Sequence, residues 1–155
     1  MTYHLHRTTT LRGSLPAVFD FFKNPSNLNA LTPSWLGFRL VSSSDETVRK
    51  GTRIRYLLRL AGIPITWESL ITEYQENSHF ADEQLTGPYV RWYHRHAFRA
   101  VPNGVEMTDD VEYQLPLGPL GRLVHWAIVR HQLKAIFNYR TSVITQRFGT
   151  ETREP

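Results

Sequence analysis

The chain has 155 residues, 41% hydrophobic and 12% aromatic, with 18 Lys and Arg against 14 Asp and Glu for a formal net charge of +4. This suits one domain with one sizeable core and excludes a disordered chain. There is no cysteine, which excludes disulfides and thiolate metal sites and fits a reducing cytoplasm. The basic residues are interleaved with acids and form no run, so no nucleic-acid partner is expected.

The opening "MTYHLHRTTTLRGS" alternates and carries polar residues throughout, so it reads as a strand over 2–12 and not as a signal peptide. Ser14 is a good N-cap and Pro16 suits a first turn. Val18, Phe19 and Phe22 then give the next segment a helical stripe that Pro25 ends. "SNLNALTPSWLG" leaves room for a second short helix before Pro33; Trp35 and Leu36 beyond it either rim an entrance or plug the end of a sheet. "FRLVSSS" and "TRIRYLLRLAG" read as strands around a polar turn from Asp45 to Gly51, and "IPITWESLITEYQEN" as the next strand. "HFADEQLTG" and "VRWYHRHAFRAV" follow, separated by Gly87-Pro88, and Asn103-Gly104 joins the second of them to "VEMTDDVEYQLP".

The pattern then turns helical from Gly121 to about Phe148. Leu120, Val124, Ile128, Ala135 and Tyr139 recur near period 3.6, and Leu133, Ile136, Phe137 and Ile144 widen the apolar face. Residues 150–155 read as a frayed tail behind a single domain over 1–149. No apolar run approaches the roughly 20 residues that span a bilayer, so no integral membrane segment is expected.

The strand "VRWYHRHAFRA" carries the chemistry. Trp92, His94, His96 and Phe98 share one parity, and Arg91, Arg95 and Arg99 the other. With Asn103-Gly104 as a two-residue turn, Arg95 faces Glu112 and Arg99 faces Thr108 on a solvated side. His94 then faces Tyr113, His96 faces Val111, Phe98 faces Asp109 and Trp92 faces Leu115 on a covered side. A three-residue turn at Gly87-Pro88 puts Asp82 opposite His94 and Phe80 opposite His96, with Gln84 on the same face; a two-residue turn would turn Ala81 and Glu83 inward. The first keeps Glu83 outside and is preferred. One strand further, Ile65, Trp67, Ser69 and Ile71 point inward and Glu68 outward.

The covered face therefore carries a polar cluster inside an aromatic wall. A carboxylate beside an imidazole satisfies both groups, raising the histidine's pKa and lowering the acid's. His94 and His96 with Asp82 or Asp109 are the candidate acid–base groups. The two histidines with Asp82 also have the make-up of a two-His-one-carboxylate set. That spacing is common on strands, however, and the third ligand depends on register, so no metal and no cofactor are expected. There is no Gly-rich phosphate loop, nucleophile elbow or His-Glu-x-x-His helix.

The Gly87-Pro88 turn, the Trp92-x-His94-x-His96-x-Phe98 strand and the Thr108-Asp109-x-x-x-Tyr113 strand, followed by the long helix, resemble a bacterial ligand-binding branch of the START and polyketide-cyclase-like (SRPBCC) superfamily. The resemblance covers nearly the whole chain. It implies an α+β helix-grip fold: a curved antiparallel sheet of about seven strands wrapped around a long C-terminal helix, with two short helices after strand 1. It also implies a deep apolar cavity between sheet and helix. Members bind lipids, sterols, polyketides or plant hormones, and some cyclise or hydrolyse them; no catalytic set is common to all, so the fold does not choose a reaction.

The expectation is a module that binds a small hydrophobic or amphipathic molecule through Trp67, Asp82, Gln84, Trp92, His94, His96, Phe98, Asp109 and Tyr113. The alternatives are a cyclase- or dehydratase-type enzyme using His94 and His96 with Asp82 or Asp109, and a partner-binding domain with a vestigial cavity. Oligomeric state is left open.

Overall fold

Alternating burial organises the chain into strands, and the computed structural model describes residues 1–150. β1 (Tyr3–Leu11) leads into α1 (Leu15–Phe22), whose start is fixed by Ser14 Oγ accepting the Ala17 N–H at 3.4 Å. Val18 and Phe19 of α1 are fully buried. In place of a second short α-helix there are two 3₁₀ turns, Pro25–Leu28 and Ser34–Leu36; the first starts with Asn24 Oδ1 accepting the Ser26 N–H at 3.0 Å. β2 (Arg39–Ser43), β3 (Arg53–Leu60), β4 (Ile63–Gln75), β5 (His79–Thr86), β6 (Arg91–Val101) and β7 (Gly104–Gln114) follow. All pairings are antiparallel, and the seven strands lie in the order β1-β7-β6-β5-β4-β3-β2. The first strand thus closes one edge against the last.

Two registers decide the site. Between β5 and β6, Asp82 pairs with His94 and Phe80 with His96, the arrangement that keeps Glu83 out of the core. Between β6 and β7, Val101 pairs with Gly104, so the turn is Pro102-Asn103 and not Asn103-Gly104. Every pair is displaced by two residues from the expected one. His94 faces Val111, His96 faces Asp109, Phe98 faces Met107 and Trp92 faces Tyr113, while Arg95 faces Asp110 and Arg99 faces Glu106. The faces survive because strand periodicity is two. The cause lies in Gly104 itself. A Cβ there would sit 2.0 Å from the Leu11 carbonyl oxygen, so this glycine is needed in the ladder, where β1 crosses closely, and the turn moves one residue back.

The C-terminal helix is also not the single rod expected from Gly121. α2 (Gly118–Val124) passes through a π-helical turn (His125–Val129) into α3 (Arg130–Phe148). On α3 the buried positions are Leu133, Phe137, Arg140 and Ile144. Leu120, Val124, Ile128, Ala135 and Tyr139, expected on the inward stripe, are exposed. The extra residue in the π turn rotates everything before it by about 100° relative to α3, so one stripe cannot serve both halves; Ala135 and Tyr139, on α3 itself, lie beside the face that buries Leu133, Phe137, Arg140 and Ile144.

Two apolar clusters fill the concave face. Phe19, Phe22, Phe80 and Phe98 pack with Leu11 and Ile144 at one end; Trp67, Trp92, Val111 and Tyr113 pack with Leu133 and Phe137 at the other. Thr150 pairs with Leu11, and Arg12 N–H donates to Gly149 O at 3.1 Å. Order therefore continues through 150, and the rest of the expected tail lies outside the described residues. No described helix is long and apolar enough to cross a membrane.

Candidate functional site

Between the concave sheet, the 3₁₀ turns and α3 lies a cavity of about 190 Å³. Its wall is aromatic where β3, β4 and β6 meet. Tyr56 stacks on Trp67 at 5.9 Å, Trp67 meets Trp92 edge-on at 5.3 Å, and Tyr89 leans on Trp92 at 4.9 Å between ring centroids. Leu36 and Phe38 close one side, and Leu133, Ile136 and Phe137 the helical side. Trp35, the other residue considered for the rim, is half exposed and does not line the cavity.

Besides Thr32 and Gln132, the polar part of the lining belongs to one charged cluster, drawn from four elements. Asp82 comes from β5, His94 and His96 from β6, Asp109 from β7 and Arg140 from α3. His94, His96, Asp109 and Arg140 are all buried. His94 Nε2 lies 2.9 Å from Asp109 Oδ1, and His96 Nδ1 lies 3.0 Å from the same oxygen. On the other side, Asp82 Oδ1 is 3.3 Å from His96 Nε2 and 4.0 Å from His94 Nδ1. Ser69 Oγ donates to Asp82 Oδ2 at 3.3 Å and accepts the Trp67 indole N–H at 3.1 Å. Arg140 Nη2 donates to Asp109 Oδ1 at 3.5 Å and approaches His96 Nδ1 at 3.2 Å. Arg140 Nε is 3.4 Å from Asp109 Oδ2 and, though buried, makes no hydrogen bond. The guanidinium lies over the Phe22 ring at 5.2 Å.

The electrostatics follow from these contacts. Two carboxylates against one guanidinium leave one negative charge in a largely buried site, which favours a proton on one of the imidazoles. Burial pushes the Asp109 carboxyl up, but Arg140 and hydrogen bonds from His94 and His96 hold it well below the usual range. Asp82 is likewise lowered, with burial outweighed by His96 and His94. Burial drives His94 down and the adjacent His96 adds to that, so His94 is lowered despite Asp109. Burial also opposes a charge on His96, but its hydrogen bonds to Asp109 and Asp82 overcome it and His96 is raised. The two rings, 3.8 Å apart, are pushed in opposite directions: His94 toward the neutral form and His96 toward the protonated one.

The donor atoms of Asp82, His94 and His96 lie within 4.8 Å of one another. A metal at about 2.1 Å from each needs spacings of roughly 3 to 3.5 Å, so the set would have to contract. The Arg140 guanidinium beside His96 also opposes a cation there. The arrangement is better matched to ion pairs and to a ligand's polar group.

Of the residues singled out from the sequence, Trp67, Asp82, Trp92, His94 and His96 line the cavity. Asp109 stands behind the two imidazoles. Gln84, Phe98 and Tyr113 are directed elsewhere. Gln84 clamps the backbone of Tyr89, donating to its carbonyl at 2.8 Å and accepting its N–H at 3.2 Å. Phe98 packs into the phenylalanine cluster, 5.2 Å from Phe19. Tyr113 OH meets His125 Nε2 at 2.8 Å, held toward the π turn by the two-residue register shift. Sequence reasoning missed Arg140, Tyr56 and Tyr89. Arg140 had a signal: it sits at helical spacing from Leu133, Phe137 and Ile144, a charge on an apolar stripe.

No family model matches the chain, and no curated protein matches it by sequence. Solved structures do. The di-domain ARO/CYC BexL from the BE-7585A biosynthetic pathway superposes with a TM-score of 0.72 at 17% identity, covering 99% of this chain and 51% of its own. The Zhui aromatase/cyclase from Streptomyces sp. R1128 gives 0.70 at 13% identity, covering 95% of this chain and 96% of its own. Ara h 8.0201 gives 0.63 at 14% identity, covering 94% and 99%. The chain thus spans about half the length of the di-domain protein and nearly all of the other two. At these identities the likeness is one of fold: a curved seven-stranded antiparallel sheet with a long C-terminal helix, the helix-grip fold.

Proposed function

We propose that the chain binds a compact hydrophobic molecule with one polar end, of aromatic or polyketide type, in the cavity between sheet and α3. The observation that carries this reading is the segregation of charge in the lining: walls that are mainly aromatic and aliphatic, with the ionisable Asp82, His94, His96 and Arg140 gathered in one cluster. Such a lining fixes orientation through a few polar groups and takes affinity from apolar area. The volume supports a small ligand. About 150 Å³ is enough for benzene in an apolar protein cavity, so about 190 Å³ suits one or two rings. The Arg140 Nε–H, buried without an acceptor, and His94 Nδ1, 4.0 Å from Asp82, are the groups proposed to meet the polar end. The names of the BexL and Zhui aromatase/cyclases point to the same ligand class.

A second reading, a cyclase- or dehydratase-type enzyme, is favoured by the histidine pair. Two adjacent imidazoles at a cavity wall, one shifted toward its neutral form and the other toward its protonated form, suit accepting a proton from one atom and donating one to another. In that reading His94 is the base and His96 the acid, with Asp109 and Asp82 holding their orientation.

The experiment is native mass spectrometry of protein purified from its own host, with extraction of whatever accompanies it. A discrete organic ligand of one or two rings is the expected result, and its carbon skeleton before and after incubation tests for turnover. Protein that carries nothing and gains no thermal stability from a panel of phenols and bicyclic aromatics would overturn the binding reading.

A further inference from the structure

We infer that residues 117–130 form a docking surface for a bilayer carrying anionic lipids. Large apolar side chains crowd this segment and face solvent: Leu117, Leu120, Leu123, Val124, Trp126 and Ile128 are between 37% and 68% exposed. They lie around the helix rather than along one stripe, because the π turn stands between Val124 and Arg130. The segment is held firmly, not dangling. A Cβ on Gly121 would fall 2.1 Å from the Pro116 carbonyl oxygen, so α2 turns tightly on the short connection from β7. His125 stacks on Tyr3 at 3.5 Å and meets Tyr113 OH. A contiguous apolar projection of this kind marks an interaction surface.

Charge selects the occupant. From Tyr113 to Thr150 the sequence contains no Asp or Glu, while Arg122, Arg130 and Lys134 are exposed around the apolar residues. The Arg130 guanidinium lies 5.1 Å from the Trp126 ring centroid, the pairing of aromatic body and cationic head that suits a headgroup boundary. A second copy presenting the same face would set like charges against each other with no acid to relieve them. Nucleic acid would take the arginines and leave the leucines and tryptophan in water. Anionic headgroups over an acyl interior match both. α3 continues directly from this segment, and Gln132, Leu133 and Ile136 line the cavity, so docking would bring the cavity wall within a few turns of the membrane surface. The surface does not depend on what the cavity holds.

Co-sedimentation of the full chain with phosphatidylcholine vesicles, with and without phosphatidylglycerol, tests this. Binding is expected with phosphatidylglycerol and to fall as salt rises. Arg122→Gln and Arg130→Gln should each weaken it roughly five-fold, the equivalent of about 1 kcal/mol per basic residue near an anionic surface. The pair Leu123→Asp and Trp126→Asp should abolish it without lowering the melting temperature, since both side chains are exposed. Light scattering on the same samples reads the oligomeric state. No sedimentation at low salt, sedimentation unchanged in the Asp pair, or a dimer that those substitutions dissolve would each overturn the inference.

Discussion

At the residue scale, the cluster works because each member answers for another. Asp109 alone would be an uncompensated buried charge. Arg140 is the largest force holding its carboxyl ionised against burial. Breaking such a pair by removing one partner is costly, so Arg140→Ala is expected to destabilise the protein by about 3 to 5 kcal/mol at pH 7. The sign with pH is fixed. A depressed carboxyl pKa contributes stability above the unfolded value of about 3.9 and loses it as pH falls through the folded value. Without Arg140 that contribution shrinks, so the gap between wild type and variant should narrow between pH 7 and pH 3. Urea titrations at the two pH values measure it, and a constant gap would mean that Arg140 acts by packing alone.

The histidines give a separate test. His96 is raised and His94 lowered, so His96 supplies stability below about pH 6.5 that is lost as pH rises through its folded value. His94 opposes folding as pH falls below 6.5 toward its own. NMR titration of the ring Cε1–H signals should show one histidine titrating above and one below 6.5; two coincident curves near 6.5 would refute the opposed pair. The inward face of His94 and His96, and Asp82 beside them, were legible from strand parity. The contact between Asp109 and both rings was not, because an Asn-Gly pair ordinarily occupies the turn centre, and nothing in β6 or β7 alone says that β1 will need Gly104 in the ladder.

At the element scale, that displaced turn and the π turn are the two places where local pattern and tertiary packing disagree. Gly104→Ala places a methyl group against the Leu11 carbonyl, backbone against backbone, where no side chain can swing aside. It should cost about 3 kcal/mol, the upper part of the range for overpacking, and disturb the pairing of β1 with β7 more than that of β6 with β7. Backbone amide exchange would separate the two. For the helix, the sequence shows a continuous 3.6-residue stripe, and a single inserted residue leaves no mark in it. Burial makes the difference testable. Ile144→Ala, in the phenylalanine cluster, should cost about 2 to 5 kcal/mol, whereas Ile128→Ala, within the π turn and exposed, should change stability by less than about 0.5 kcal/mol. Equal losses would restore the single straight stripe.

At the scale of the whole molecule, the fold keeps a space that it has the side chains to fill. At about 24 cal/mol per Å³ of residual cavity, about 190 Å³ represents roughly 4 to 5 kcal/mol of packing that the apo protein forgoes. A cavity of that cost is understandable if an occupant restores part of it: a ligand at 100 times its dissociation constant contributes about 2.7 kcal/mol. Leu58, buried on β3 and part of the cavity wall, offers a direct test. Leu58→Phe extends a ring into the space and should raise the melting temperature of the apo protein, since stabilising substitutions at functional sites trade binding for packing. 1-Naphthol, about the size the cavity admits, should raise the melting temperature of the wild type and leave that of Leu58→Phe unchanged. If the variant is stabilised and still responds to naphthol, the ligand sits elsewhere. If the variant is destabilised, the space is already closed by motions of α3 and the cavity is not a reserve of packing energy. The combination expected, a firmer protein that no longer answers to its ligand, would tie the cavity's volume to binding through one substitution outside the polar cluster.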